Sequence, residues 1–198
     1  MKNAFIIGGL NIHHTPVDEH YSELREAVAS KDYNVLPADI SWRRTIPTQF
    51  AERFKEFYRA NKSPEGNVVI GNSFGAVVAL ITAAELQPDL LMLCSLSPFF
   101  KEDWTDFWPE SQHLRRLGKR RVEDIKQYSL YDIAATLSEQ DIAIKILYGE
   151  LEKDALPVLV ERSRSLARMI TAAELIEVPG APHRFRMPEY VAGIANAL

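Results

Sequence analysis

The sequence predicts an α/β protein, a three-layer α/β/α sandwich built on a mostly parallel sheet of about six strands. Two observations carry that expectation. Short continuous runs of valine, isoleucine and leucine recur along the chain, and such runs suit strands covered on both faces. Between most of them lie segments of helical length with polar residues on one side, and this alternation of strand and helix argues for parallel pairing through right-handed crossovers. At 198 residues and 46% hydrophobic content, the chain has the size and apolar material of one domain, 1–198.

The elements follow in order. The first strand is expected at Ala4 to Gly8, where an apolar run ends in two glycines, and the loop GGLNIHHTP after it lies where α/β proteins place binding groups. Its His13 and His14 do not suggest a metal site, because adjacent histidines in an extended loop point apart and no carboxylate or cysteine cluster accompanies them. Next come a helix over Asp18 to Ser30, a strand at Tyr33 to Leu36, and a helix over Pro47 to Ala60. Trp42, Arg43 and Arg44 between them read as packing and surface residues. Strand three is expected at Val68 to Gly71, its helix at Phe74 to Leu86, and strand four at Leu90 to Cys94. More than forty residues then separate strands four and five, well beyond an ordinary connection. This marks an insertion over 98–140. Strand five is expected at Ile142 to Tyr148, a helix at Ala155 to Met169, strand six at Leu175 to Val178, and a last helix at Pro188 to Leu198 with its proline in the first turn.

Composition narrows the function classes. A formal net charge of -4 gives no overall basic surface for a nucleic-acid backbone and leaves room only for a local basic patch. The lone Cys94 lies in an apolar stretch, which excludes an internal disulfide framework and reads as a small buried residue. The N-terminal apolar run is too short for a signal peptide, and no stretch approaches a membrane span, so a soluble cytoplasmic protein is expected.

The stretch NVVIGNSFGAVVAL contains Gly-x-Ser-x-Gly at Gly71 to Gly75, between an expected strand and an expected helix. A sharp strand-to-helix turn forces the central serine into a strained conformation, and glycines two residues to each side remove the clash with neighbouring backbone. Ser73 is thereby exposed at the carboxyl end of the sheet, beside the free N–H groups of a helix N-terminus. A serine hydroxyl needs a base to take its proton and an acid to orient that base. Two histidines lie downstream, His113 in the insertion and His183 after the last strand in EVPGAPHRF. His183 is the expected base, with pairing to Glu177 or Glu189 as its structural alternative. The loop after strand five offers Glu150, Glu152 and Asp154. Asp154, immediately before the expected helix, is the expected acid. Glu152 is the alternative, and Asp154 is then only the N-cap of that helix.

With GNSFG, the acid after YGE and PGAPHRF in place, the chain resembles the α/β-hydrolase superfamily over nearly its whole length. It looks most like the small serine hydrolases of similar length, and relative to the family pattern it begins at the third family strand. The resemblance makes Ser73 the nucleophile, His183 the general base and then acid, and Asp154 the orienting carboxylate. It implies an oxyanion hole from the backbone N–H of Phe74 and a second N–H in Gly8-Gly9-Leu10-Asn11, from Gly9 or Leu10. It also implies a lid in the insertion. There Phe99, Phe100, Trp104, Phe107 and Trp108 could line an acyl pocket or anchor the insertion. Arg115, Arg116, Lys119, Arg120 and Arg121 put five positive charges in seven residues, either a solvated face or a means of steering an anionic substrate.

The expected function is hydrolysis of a small-molecule carboxylic ester or thioester through an acyl-enzyme on Ser73, with no cofactor, metal or membrane. A second reading restricts the substrate to acyl groups on an acidic acyl-carrier protein that the basic lid would attract. A binding protein on a hydrolase scaffold, and a peptidase or lyase with the same constellation, are further alternatives.

Overall fold

The computed structural model describes residues 1–10, 21–42, 45–103 and 117–198. Their architecture is one six-stranded sheet in the order β2-β1-β3-β4-β5-β6, with every neighbouring pair parallel. The strands are β1 (Lys2–Ile7), β2 (Tyr33–Pro37), β3 (Asn67–Asn72), β4 (Leu90–Cys94), β5 (Ala143–Gly149) and β6 (Glu174–Val178). β3 and β4 are central and almost fully buried, as continuous apolar sequence requires, whereas the edge strands β2 and β6 carry exposed residues.

Eight helices cover the two faces among the described residues: α1 (Ser22–Ala29), α2 (Pro47–Asn61), α3 (Phe74–Leu86), α4 (Lys119–Ile125), α5 (Leu130–Ser138), α6 (Glu152–Ala155), α7 (Pro157–Met169) and α8 (Pro188–Ala197). Two apolar clusters form, one on each face. Leu24 and Val28 of α1 pack with Tyr190, Val191 and Ile194 of α8 against Ala4, Ile6, Val68 and Ile70. On the opposite face, α2, α3, α4, α5 and α7 bury Phe50, Phe54, Val77, Ile125, Leu137 and Leu166 against Phe5, Val69, Leu91 and Ile146. α3 is apolar nearly all round, as a helix buried on all sides should be.

The helix expected over Ala155 to Met169 is present as α7, Pro157–Met169; the difference is a separate turn before it, α6, where a loop was expected. Pro157 has no N–H to donate and biases the residue before it out of the helical region; Leu156 stands at φ −143°, ψ 57°. The single turn of α6 is thereby set apart from α7.

In the long connection after β4, Phe99 and Phe100 are core residues, as are Leu117, Val122, Ile125 and Leu130 farther along. These two rings anchor the segment. Trp104, Phe107, Trp108, His113, Arg115 and Arg116 lie outside the described residues, as do Asn11, His13, His14, Arg43 and Arg44. The basic cluster is not one uniform face. Lys119 and Arg120 are exposed, but Arg121 turns inward, donating to the carbonyls of Thr45 at 2.9 Å, Leu117 at 3.0 Å and Trp42. It ties α4 to the loop after β2.

Candidate active site

The strand order reverses between β1 and β3, so the loops leaving their carboxyl ends diverge and open a crevice there. Ser73 lies at that point, between β3 and α3, at φ 53° and ψ −112°. Few residues with a Cβ adopt this conformation, and the surroundings hold it in place. A Cβ on Gly71 would lie 2.6 Å from the Cα of Ala76, and one on Gly75 would lie 2.6 Å from the carbonyl oxygen of Gly8 and closer still to that of Ile7. Both glycines are therefore required for the turn to close against its own helix and against β1. The Ser73 N–H donates to the Cys94 carbonyl at 2.8 Å, fixing the turn to the end of β4.

The Ser73 hydroxyl meets His183 Nε2 at 3.3 Å. His183 comes from the loop after β6, which is fastened to the loop after β5. Glu150 N–H donates to the Val178 carbonyl at 2.9 Å, Leu151 N–H to the Ala181 carbonyl at 3.1 Å, and Gly180 N–H to the Glu150 carboxylate at 2.8 Å. These bonds bring the acid-bearing and histidine-bearing segments together.

The carboxylate that meets His183 is that of Glu152, with Oε1 2.7 Å from Nδ1. Asp154, the acid expected from sequence, does not occupy that position. Residues two apart on a helical turn point in nearly opposite directions. In α6, Glu152 faces inward with 0% exposure while Asp154 is exposed to solvent. A carboxylate can only accept, so Nδ1 carries a proton and Nε2 presents its lone pair to the Ser73 hydroxyl. Glu152 Oε1 also accepts from the Ser95 hydroxyl at 2.6 Å, and Oε2 accepts from the Gly149 N–H at 3.1 Å.

The other side of Ser73 faces the loop after β1. A Cβ on Gly9 would lie 3.3 Å from the Ser73 Cβ, so this loop approaches the serine closely. The Gly9 N–H donates to the Tyr21 hydroxyl at 3.3 Å, and that hydroxyl also bonds the Asn72 side chain. Burial raises the Tyr21 phenol above its ordinary pKa, so it stays neutral. Of the two donors expected from this loop, Gly9 is therefore committed to Tyr21. The Phe74 N–H is at the first position of α3, where a helix supplies no internal acceptor.

Sequence reasoning missed Ser95, Ser97, Tyr21 and Tyr190. Ser97 is buried, with its hydroxyl 3.1 Å from that of Ser73. Ser95 and Ser97 had a readable signal: two hydroxyls directly beyond the apolar strand β4, at the carboxyl end of the sheet. Tyr190 and Tyr21 had none, since each resembles any other aromatic on a helix face.

No family model and no curated protein matches the chain. Solved structures do. Est1E from Butyrivibrio proteoclasticus superposes with a TM-score of 0.75 at 14% identity, covering 99% of this chain and 84% of its own. MGS-MChE2, an alpha/beta hydrolase enzyme from a lagoon-sediment metagenome, gives 0.66 at 19% identity, covering 99% and 88%. A thioesterase domain from the curacin biosynthetic pathway gives 0.65 at 13% identity, covering 99% and 90%. With similarity running over nearly the whole chain, and a parallel sheet of matching build, the protein has the α/β-hydrolase fold.

Proposed function

We propose that the chain is a serine hydrolase that cleaves carboxylic esters or thioesters, with Ser73 as nucleophile, His183 as general base and then acid, and Glu152 as the carboxylate orienting it. The observation that carries this reading is the unbroken line from Ser73 Oγ to His183 Nε2 at 3.3 Å and from Nδ1 to buried Glu152 at 2.7 Å. In it, Nε2 takes the hydroxyl proton as Ser73 attacks the acyl carbon. The Phe74 N–H and the Leu10 N–H stabilise the oxyanion, and the proton then passes from His183 to the leaving alcohol or thiol. Water, deprotonated by the same nitrogen, releases the acid. The fold neighbours named esterase or thioesterase support ester and thioester chemistry over other reactions of this constellation. A lid within 98–140 and a cytoplasmic location belong to the same reading.

Labelling with a fluorophosphonate tests it. The expected result is a single adduct, mapped to Ser73 and absent from Ser73→Ala and His183→Ala. A folded wild-type protein that stays unlabelled would sink the reading.

A narrower reading, hydrolysis of acyl groups carried on an acidic carrier protein, draws support from the exposed Lys119 and Arg120 on α4 and from the thioesterase neighbour.

A further inference from the structure

Beyond the three residues of the proposed triad, Glu152 has a second line of partners. Its Oε1 lies 2.6 Å from the Ser95 hydroxyl, which lies 2.7 Å from the Tyr190 hydroxyl. All three side chains are buried, with Glu152 and Tyr190 at 0% exposure and Ser95 at 1%. Proton counting fixes the direction of the chain. Ser95 has one hydroxyl proton, and the carboxylate, lacking any of its own, receives it. Ser95 must then accept from Tyr190, whose hydroxyl also lies 3.2 Å from the Leu147 carbonyl as a longer, competing acceptor. The hydroxyls thus donate in series toward the carboxylate.

Two features of the backbone show that Ser95 is placed for this contact. It stands at φ 51°, a conformation that disfavours any residue with a Cβ. Its N–H donates to the Leu147 carbonyl at 2.8 Å, which fixes the strained residue to the end of β5, next to the segment that supplies Glu152.

We infer that Ser95 and Tyr190 are positioning residues of the proposed hydrolase, a two-hydroxyl relay that holds Glu152 in the rotamer facing His183 and spreads its negative charge. The inference rests on the serine-hydrolase reading for its kinetic consequence, though not for its effect on the Glu152–His183 pair. Donors on the carboxylate compete with a protonated imidazole for its charge, so they favour the neutral, base-competent form of His183. Among the described residues, the titratable groups facing Glu152 are His183 from the loop after β6, Cys94 from β4 and Tyr190 from α8. Burial foremost pushes the Cys94 thiol and the Tyr190 phenol well above their ordinary values, so both keep their protons beside the carboxylate.

The test compares wild type, Ser95→Ala and Tyr190→Phe, with Ser95→Gly added because glycine accepts φ 51° and keeps the comparison open if the alanine variant folds poorly. For a p-nitrophenyl ester, kcat should fall by about tenfold to a hundredfold in the Ser95 variants and by less in Tyr190→Phe, the loss expected for a hydrogen bond to a charged group. KM should not change, since neither side chain reaches substrate. The acid limb of the kcat/KM profile should move up by about one pH unit, the counterpart of a similar loss. The His183 ring, followed by NMR without substrate, should show the same upward movement. An identical His183 titration in folded variants and wild type overturns the relay whether or not the protein hydrolyses esters. Wild type inert toward esters and fluorophosphonate, but with a titration that moves on substitution, overturns the hydrolase reading and leaves the relay standing.

Discussion

Glu152 is a carboxylate with no solvent exposure, and a charge so placed persists only where donors replace the water it has lost. Ser95, Gly149 and His183 supply them. Asp154 sits in water two residues away and needs nothing from the fold. The two acids should therefore respond to neutralisation in opposite ways. Glu152→Gln, which keeps the shape but can donate to His183 and so favours the wrong ring tautomer, should lower kcat by about 10³–10⁴-fold, the scale seen when a triad acid becomes an amide. Asp154→Asn should leave kcat within about twofold, as a solvated surface change does. Steady-state kinetics on the two purified variants decides the matter, and equal losses in both would remove Glu152 from the proposed role. Ser73 and His183 were legible because glycine spacing and a Pro/Gly-rich loop after a strand mark places where backbone geometry dictates residue type. The acid was not, because YGELEKD offers three carboxylates within five residues, and only the phase of one helical turn chooses among them. That phase belongs to α6, a single turn set apart from α7 by Pro157, in a stretch that reads as loop.

At the level of elements, the turn from β3 into α3 is a contact between three backbones, and it tolerates no side chain where they meet. Gly75 sits at N2 of α3, directly over the carbonyls that end β1. An added methyl must push α3 off the sheet or bend β1, and α3 is packed all round by core residues that cannot yield. Gly75→Ala should cost at least about 1–3 kcal/mol, the range for overpacking a filled core. In urea the midpoint should fall with the slope unchanged, since the surface exposed on unfolding is the same. A midpoint equal to that of wild type would mean the turn is looser than its geometry implies. The central strands β3 and β4 were readable from their apolar runs because helices cover both of their faces, whereas the edge strands β2 and β6 carry exposed residues and a weaker signal.

For the whole molecule, the carrier-protein reading turns on charge at two distances. The chain carries a net -4, so an acidic partner approaching from afar meets repulsion, and only near contact can Lys119 and Arg120 on α4 act in its favour. Even there the attraction is tempered: Lys119 lies 3.7 Å from Glu123, and Arg120 shares a shallow depression with Glu123 and Asp124. Arg121, spent on backbone carbonyls, adds structure more than a surface charge. Salt separates the two ranges. At about 0.01 M the screening length is about 30 Å and the whole-molecule repulsion is felt; at about 0.1 M it is about 10 Å, and the local patch remains while the distant field is gone. If an acyl-carrier protein is the substrate, kcat/KM should rise from about 0.01 M to a maximum near 0.1 M salt and then fall as the patch itself is screened. A neutral ester of the same acyl group should show a flat profile, and Lys119→Ala with Arg120→Ala should remove the falling limb for the carrier substrate alone. Profiles of the same shape for both substrates would place the charges on a solvated helix face and leave the small ester as the substrate class.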